Sequence, residues 1–372
     1  TLISKILVSQ SHSVNIINKK GVHNKSTYPD LKVTGDFESI QYIYTSGDPF
    51  RNDRFIRRNF LKMKGIINEV SVLRRMKRKK ELDYAILSTH NFSSIFYYYI
   101  LSKLVGFRTI LNHVEYFSDA KMKWPKLGKW MNDQLHDKYA LLLVDISFPI
   151  SEFLIDHIKK TAPHKHYLKI PILAEFEKFN NTEILQLPAY FFFSGAAAHL
   201  EIVKFIIDSF MQLNDSPASL YLAIKGEKIH LHEIEKYINS RANPKKIKLF
   251  TTLTEKQLYN YYRNATALLI PLRPTIQDKA RFPHKIGEYL ASGNPVISTN
   301  YGEVKYYFKD MDTMLIASKY DVNLFSDKMQ YVLDHPFESR AVGAKGQEFA
   351  LGNFDYRIYG AKIEKFLSQN NY

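Results

Sequence analysis

The sequence predicts an α/β protein of two domains, each an open parallel sheet with helices on both faces. Three observations lead there. The 372 residues, 45% hydrophobic and 24% charged, exceed what one core organises, since single cores stop growing near about 250–300 residues. Short apolar runs without polar alternation recur along the chain, as strands buried on both faces require. Longer stretches of helical pattern separate them, and strand alternating with helix builds a parallel sheet.

Taken in order, residues 5–9, 84–89, 108–112 and 141–147 read as strands of a first series, with helices at 91–105 and at 151–160, where Ser151 is placed to cap the first turn. A loop over 171–188, holding two prolines and a polar run from Asn180 to Thr182, reads as the linker. The rhythm then restarts with strands at 190–194, 219–224, 246–250, 267–271 and 295–299, and with helices at 200–213 and 255–264 between them. A last helical pattern covers 355–367. The expected domains are 1–172 and 187–352, with 353–372 as a C-terminal helix crossing back to the first domain. Two such sheets facing each other leave the cleft between them as the natural ligand site.

Composition narrows the chemistry. There is no cysteine, which excludes disulfides, thiolate nucleophiles and cysteine-bound zinc and fits a cytoplasmic home. The apolar run in the first ten residues is too short to span a bilayer and lacks signal-peptide flanks, so any membrane association is expected to be peripheral. Of the +15 net charge, +11 lies before Leu187, and residues 51–80 hold 12 basic side chains against Asp53 and Glu69. Such a stretch faces anionic lipid, nucleic acid or a phosphorylated substrate, or is a solvated helix face.

Residues 267–308 carry the most information. They read as strand, irregular loop through Arg273, Pro274 and Pro283, short helix 284–291, a Ser292-Gly293-Asn294 turn and another strand. A loop feeding a helix amino terminus offers free N–H groups and a positive dipole end, which suits a diphosphate. Arg281, Lys285 and Glu288 fall at i, i+4 and i+7 and share one helical face if the helix starts by Arg281. The cations then meet phosphate oxygens while the carboxylate accepts from ribose hydroxyls. The same spacing also describes an ordinary amphipathic helix with an internal salt bridge.

The run Arg281-Phe-Pro-His-Lys-Ile-Gly-Glu-Tyr-Leu-Ala-Ser-Gly-Asn-Pro-Val-Ile-Ser-Thr-Asn-Tyr-Gly-Glu303 resembles the donor-binding signature of the retaining glycosyltransferases called group 1, or family four, which adopt the two-domain GT-B fold. Weaker collinear likenesses are Val144–Ser151 and Phe193-Ser-Gly195. The resemblance implies two Rossmann-like domains facing across a cleft, a nucleotide sugar (UDP-, GDP- or another NDP-sugar) held by the second and an acceptor, a glycan or lipid-diphosphate-linked glycan, held by the first. It further implies retention of configuration, a role in bacterial surface polysaccharide synthesis, and no required metal or other cofactor. By position, Glu288 would bind the ribose and Lys285 the diphosphate, with Arg281 as a second phosphate ligand. Gly195 would let backbone approach the phosphates, and Lys225, ending the strand at 219–224, would reach them too. No catalytic nucleophile is implied; His113, at the end of the strand at 108–112, is the candidate for facing the donor sugar from across the cleft, with His12 and His90 at similar strand ends.

The departures point to the sugar. Relatives carry a glutamate eight residues before the ribose-binding one, where this chain has Ala280, with Asp278 near but out of step. The usual Lys-Gly after the first strand of the second domain gives way to His199-Leu-Glu201. Asp310-Met-Asp312 has metal-binding spacing but follows an apparent helix, Val304 to Phe308, and reads as a turn. Trp124 and Trp130, among four lysines in 121–131, suit either a lipid headgroup boundary or packing on their own domain. Other readings of the whole are a nucleotide-sugar epimerase on paired Rossmann domains and a non-enzymatic basic adaptor for membrane or nucleic acid. The organised nucleotide pocket argues against the adaptor, and no nucleic-acid partner is expected.

Overall fold

The computed structural model describes residues 2–117, 126–213, 216–241 and 243–370. It divides into two compact units. The first takes the chain up to Pro149, then Leu154–Lys169 and the segment from Tyr356 onward; the second takes Ile150–Phe153 and Ile170–Asp355.

The first unit runs α1 (Leu2–Ser9), β1 (Asn15–Asn18), β2 (Thr34–Phe37), β3 (Ile40–Tyr44), α2 (Phe55–Arg78), β4 (Tyr84–Leu87), α3 (Phe92–Val105), β5 (Arg108–His113), α4 (Leu127–Leu143), β6 (Ile146–Pro149), α5 (Glu152–Thr161) and β7 (His166–Tyr167). β4, β5, β6 and β7 form a parallel sheet in that order, while β1 pairs parallel and β2 antiparallel with β3 in a separate small sheet. Asn91 caps α3 by accepting from the Ser94 N–H, and Gly106 ends it at φ +84°, the left-handed conformation glycine adopts without strain. Leu87, Ile95, Leu111 and Leu141 share one core between sheet and helices.

Two expected strands are corrected. Residues 5–9 belong to α1, where Ile3 and Ile6 are buried three positions apart; a short apolar run has no period of its own, and its neighbours decide between helix and strand. Those neighbours are β3 and the C-terminal segment. Residues 141–143 likewise finish α4, whose buried Asp133, His136, Asp137, Ala140 and Leu141 follow helical spacing, and the strand starts only at Ile146. The small sheet of β1 to β3 is not marked in the sequence because its strands are short and β1 and β2 mix apolar with polar residues.

The second unit runs β8 (Tyr190–Ala196), α6 (Leu200–Met211), β9 (Ser219–Lys225), α7 (Lys228–Asn239), β10 (Ile247–Phe250), α8 (Glu255–Asn264), β11 (Ala267–Ile270), α9 (Ile276–Ala280), α10 (Lys285–Ala291), β12 (Val296–Thr299), α11 (Val304–Tyr307), β13 (Leu315–Ala317), α12 (Val322–Asp334) and α13 (Pro336–Phe354). Its six strands are all parallel, in the order β10-β9-β8-β11-β12-β13. This is the doubly wound dinucleotide-binding order. β8 shows why its sequence is apolar throughout: Phe191 and Phe193 enter the core with α6 and α12, while Tyr190 and Phe192 pack on Tyr221 and Tyr261. The capping box of Thr254 and Gln257 starts α8 at the residue the pattern predicts.

A 3-10 turn, Phe176–Phe179, packs against α8 and α10 within this unit. The final helix, α14 (Gly360–Gln369), returns to the first unit, where Phe366 meets the Phe148 ring and α1 packs on it. Among the described residues no helix is long and apolar enough to cross a membrane. Of the tryptophan segment, residues 118–125, including Trp124, lie outside the described residues; Trp130 sits in the first turns of α4.

Candidate nucleotide-binding site

The strand order of the second unit reverses between β8 and β11, and open α/β sheets bind ligands at such a switch point, beyond the carboxyl ends of the strands. β8 ends there in Ser194-Gly195. The Ser194 N–H donates to Tyr289 Oη (2.9 Å), its hydroxyl meets Tyr262 Oη (2.9 Å), and its carbonyl accepts from Lys285 Nζ (2.8 Å). Lys285 and Tyr289 stand one turn apart on α10, so these bonds fasten the amino end of that helix to the end of β8. Burial lowers the Lys285 pKa, opposed by the Glu288 carboxylate and reinforced by Arg281. Burial raises that of Glu288, against the pull of Lys285 and Lys178. The two are mutually stabilised charges on one helical face, three residues apart.

Arg281 is not on that face. It is extended (φ −92°, ψ 155°) after α9, and α10 begins only at Lys285. Pro283 explains the break: it lacks an N–H and disfavours helical geometry at Phe282 before it. Arg281 nevertheless acts electrostatically on both Lys285 and His199, adding to the burial that lowers the pKa of each. Its Nη2 lies 2.7 Å from Asp278, while its buried Nε has no hydrogen-bond partner.

Asp278 is fully buried and takes a two-pronged bond from Arg273 (2.9 and 3.1 Å) plus the Arg273 N–H (2.8 Å). Burial would raise its pKa, but the Arg273 bonds and the Arg281 charge outweigh this and hold it below the usual carboxylate value. Asp278 is thus committed to two arginines. Ala280 is buried, its carbonyl accepting from the Ser151 hydroxyl. Neither residue offers a free carboxylate where relatives of this signature carry glutamate.

Against the triad of Arg273, Asp278 and Arg281, Gly302 has φ +56°, and a Cβ there would come within 2.6 Å of the Asp278 carbonyl oxygen. Gly302→Ala is expected to cost about 1 kcal/mol or more, read as a lower urea midpoint with unchanged slope.

Gly195 and Lys225 sit at adjacent strand ends, Gly195 opposite Ile224 and Ala196 opposite the exposed Lys225. A Cβ on Gly195 would come within 2.7 Å of the Phe193 ring, so local packing alone favours glycine. Asp310 and Asp312 flank a turn at Met311 (φ +62°) and pair with Lys328 (2.6 Å) and Lys345 (3.0 Å). Arg273 and His199 join the site although motif reading passed over them. The Arg273-to-Asp278 spacing across a loop was the signal for one; His199, after β8, was noted only as a departure.

His113 lies in the first unit, buried at the end of β5, with its ring 6.4 Å from that of His136 and 6.1 Å from that of His157. Its Nδ1 is unpartnered. Burial, then the neighbouring imidazoles, lowers its pKa to about 3. His157 donates Nε2–H to the Asp137 carbonyl (2.8 Å), and His136 Nδ1 lies 2.9 Å from Asp137 Oδ1. His90 adjoins His136 and Phe117; His12 follows α1 rather than a strand and meets Glu364 at 2.5 Å.

A histidine with a depressed folded-state pKa binds fewer protons folded than unfolded. Its contribution is therefore full above the ordinary histidine range and is lost as pH falls from about 6.5 toward 3. Stability should fall with acid over that window by up to about 1.4 kcal/mol per pH unit for His113. His113→Gln should flatten the dependence in urea titrations between about pH 4.5 and 7.

Residues 175–349 match the family model described as Glycosyl transferases group 1. No curated protein sequence matches the chain. Among solved structures it is similar to sucrose-phosphate synthase from Thermosynechococcus elongatus (TM-score 0.76, 14% identity, covering 99% of this chain and 91% of that one). It is also similar to HepE from Anabaena in complex with UDP and glucose (0.70, 11%, 99% and 95%). A third is a UDP-forming α,α-trehalose-phosphate synthase from Burkholderia vietnamiensis (0.62, 10%, 96% and 99%). At these identities the likeness is one of fold, and the fold extends over nearly the whole chain.

Proposed function

We propose that this chain, whose residues 175–349 match the family model described as Glycosyl transferases group 1, transfers a sugar from a nucleotide-sugar donor, with retention, to a glycan or lipid-diphosphate-linked acceptor. The observation that carries the donor half is Lys285 bonded to the end of β8 at the switch point, with Glu288 one turn along α10 and the Arg281 Nε left without a partner beside Asp278. A departing nucleoside diphosphate develops negative charge on its oxygens. Fixed cations at a half-buried strand end stabilise that charge without reorganising. Arg281 Nε, buried and unpaired, is a donor in want of an anion.

In this reading Lys285 and Arg281 hold the diphosphate, Glu288 accepts from the ribose hydroxyls, and Gly195 and Lys225 border the phosphates. The reaction proceeds by front-face departure without an enzyme nucleophile, and the diphosphate is neutralised by these cations with no required metal. His113 is assigned to the acceptor-binding unit as the residue that meets the donor sugar. The occupation of Asp278 by two arginines leaves Ala280 as the distinctive feature of the sugar half, so donor-sugar recognition differs from that of relatives with glutamate there. The biological setting we assign is bacterial surface polysaccharide synthesis, at the cytoplasmic face of an anionic membrane.

HepE is described with UDP and glucose, and the trehalose-phosphate synthase as UDP-forming, so UDP-sugars head the list of donors to test. A thermal-shift screen of UDP-, GDP-, ADP- and dTDP-sugars should show one family raising the melting temperature, because a ligand that binds only the folded state stabilises it. Transfer of the sugar to an acceptor, rather than interconversion of the donor, is the product expected. No shift with any nucleotide would overturn the donor assignment.

A further inference from the structure

A surface helix normally turns its apolar stripe inward. α2 does so only in part. Its inward positions are Gly65, Glu69 and Leu73, and Glu69 accepts from Tyr97 (3.0 Å) and Tyr98 (2.7 Å). The opposite face carries Ile56, Phe60, Met63 and Ile67, at i, i+4, i+7 and i+11, with exposures of 82%, 68%, 57% and 64%. Continued along the helix, that stripe runs into Arg74 and Arg78, both exposed. The only acidic residue of α2 is the buried Glu69.

The helices beside it behave alike. α2 packs on α3, and α3 on α4. α3 exposes Phe96, Ile100 and Leu104, and α4 exposes Leu135, Tyr139 and Leu142, again at helical spacing. Lys103 and Lys138 lie over the Tyr99 and Tyr139 rings at 5.6 and 5.2 Å. Exposed apolar stripes on three neighbouring helices, set among cations, exceed the scattered apolar residues of an ordinary surface.

We propose that the outer stripe of α2 docks on an anionic lipid bilayer, with Ile56, Phe60, Met63 and Ile67 entering the headgroup boundary. Charge complementarity selects the occupant: the cations at the helix end meet lipid phosphates while their stems lie along the apolar surface. The stripe is a row of one phenylalanine, one methionine and two isoleucines along one helix face, the kind of apolar face interfacial helices present. The proposal rests on the membrane setting assigned above but not on the donor site, so the two fail separately.

The test uses the full chain and sedimentation with vesicles of neutral phosphatidylcholine, alone or with about 30% phosphatidylglycerol. Binding should favour the anionic vesicles and weaken as salt rises. Ile56→Ser, Phe60→Ser, Met63→Ser and Ile67→Ser combined should reduce it about tenfold or more, leaving soluble nucleotide binding unchanged. Arg74→Gln with Arg78→Gln, which spares the stripe, should narrow the preference for anionic lipid. No vesicle binding, equal binding to both vesicle types, or undiminished binding by the four-serine variant would overturn the proposal. So would a concentration-dependent dimer, without vesicle binding, that the four-serine variant dissolves; that result assigns the face to a second copy.

Discussion

Glu288→Ala is expected to abolish measurable donor binding. In the proposed role its carboxylate accepts from two ribose hydroxyls, and each hydrogen bond to a charged group is worth about 1.5–3 kcal/mol. Losing both corresponds to about two orders of magnitude or more in affinity and in kcat/KM. Lys285→Ala should have a comparable effect through a different route. It removes a cation from the diphosphate and also releases the Ser194 carbonyl, which accepts from Lys285 at 2.8 Å. Calorimetric titration with UDP, GDP, ADP and dTDP separates the two roles. The Glu288 variant should lose affinity for nucleosides and nucleotides alike, whereas the Lys285 variant should lose more for diphosphates than for nucleosides. Undiminished affinity of both variants for every nucleoside diphosphate would refute the site.

Asp278→Ala should produce the largest loss of stability in the second unit. Asp278 is fully buried between Arg273 and Arg281, and removing one member of a buried ionic group leaves the others uncompensated, at about 3–5 kcal/mol. Both arginines keep partial access to water (22% and 26% side-chain exposure), which screens them and favours the lower end of that range. The melting transition should drop by on the order of 5–10 °C. The same substitution frees Arg281 from its 2.7 Å contact, so donor affinity should change alongside stability. Asp278→Asn, which keeps the shape and some of the hydrogen bonds, should recover part of the stability. A melting temperature within about 1 °C of the parent would show that the triad is not structural.

Much of the second unit was legible in sequence because its strands are buried on both faces. Runs such as Phe191-Phe192-Phe193 tolerate no polar alternation, and the helical pattern at 255–264 matched α8 to the residue. The first unit was less so. Residues 5–9 and 141–143 are apolar enough for either element, and only their neighbours made them helical. The small sheet of β1 to β3 carries strands such as Thr34-Gly-Asp-Phe37, whose pattern is that of a loop.

At the site, sequence by itself determined which residue types gather: the Lys285-to-Glu288 spacing on one short helix, the helix break at Pro283, and the absence of a glutamate at Ala280. Each follows from local chemistry, the period of the helix and the missing proline N–H, and needs no partner from afar. Only the tertiary structure decided where those residues act. Tertiary packing brings Ser194, at the end of β8, to Lys285, ninety-one positions away, whereas Arg273, Asp278 and Arg281 meet locally across one short loop and helix. It likewise turned the stripe of Ile56, Phe60, Met63 and Ile67 outward, since periodicity fixes that four residues share a face but not which face the core covers.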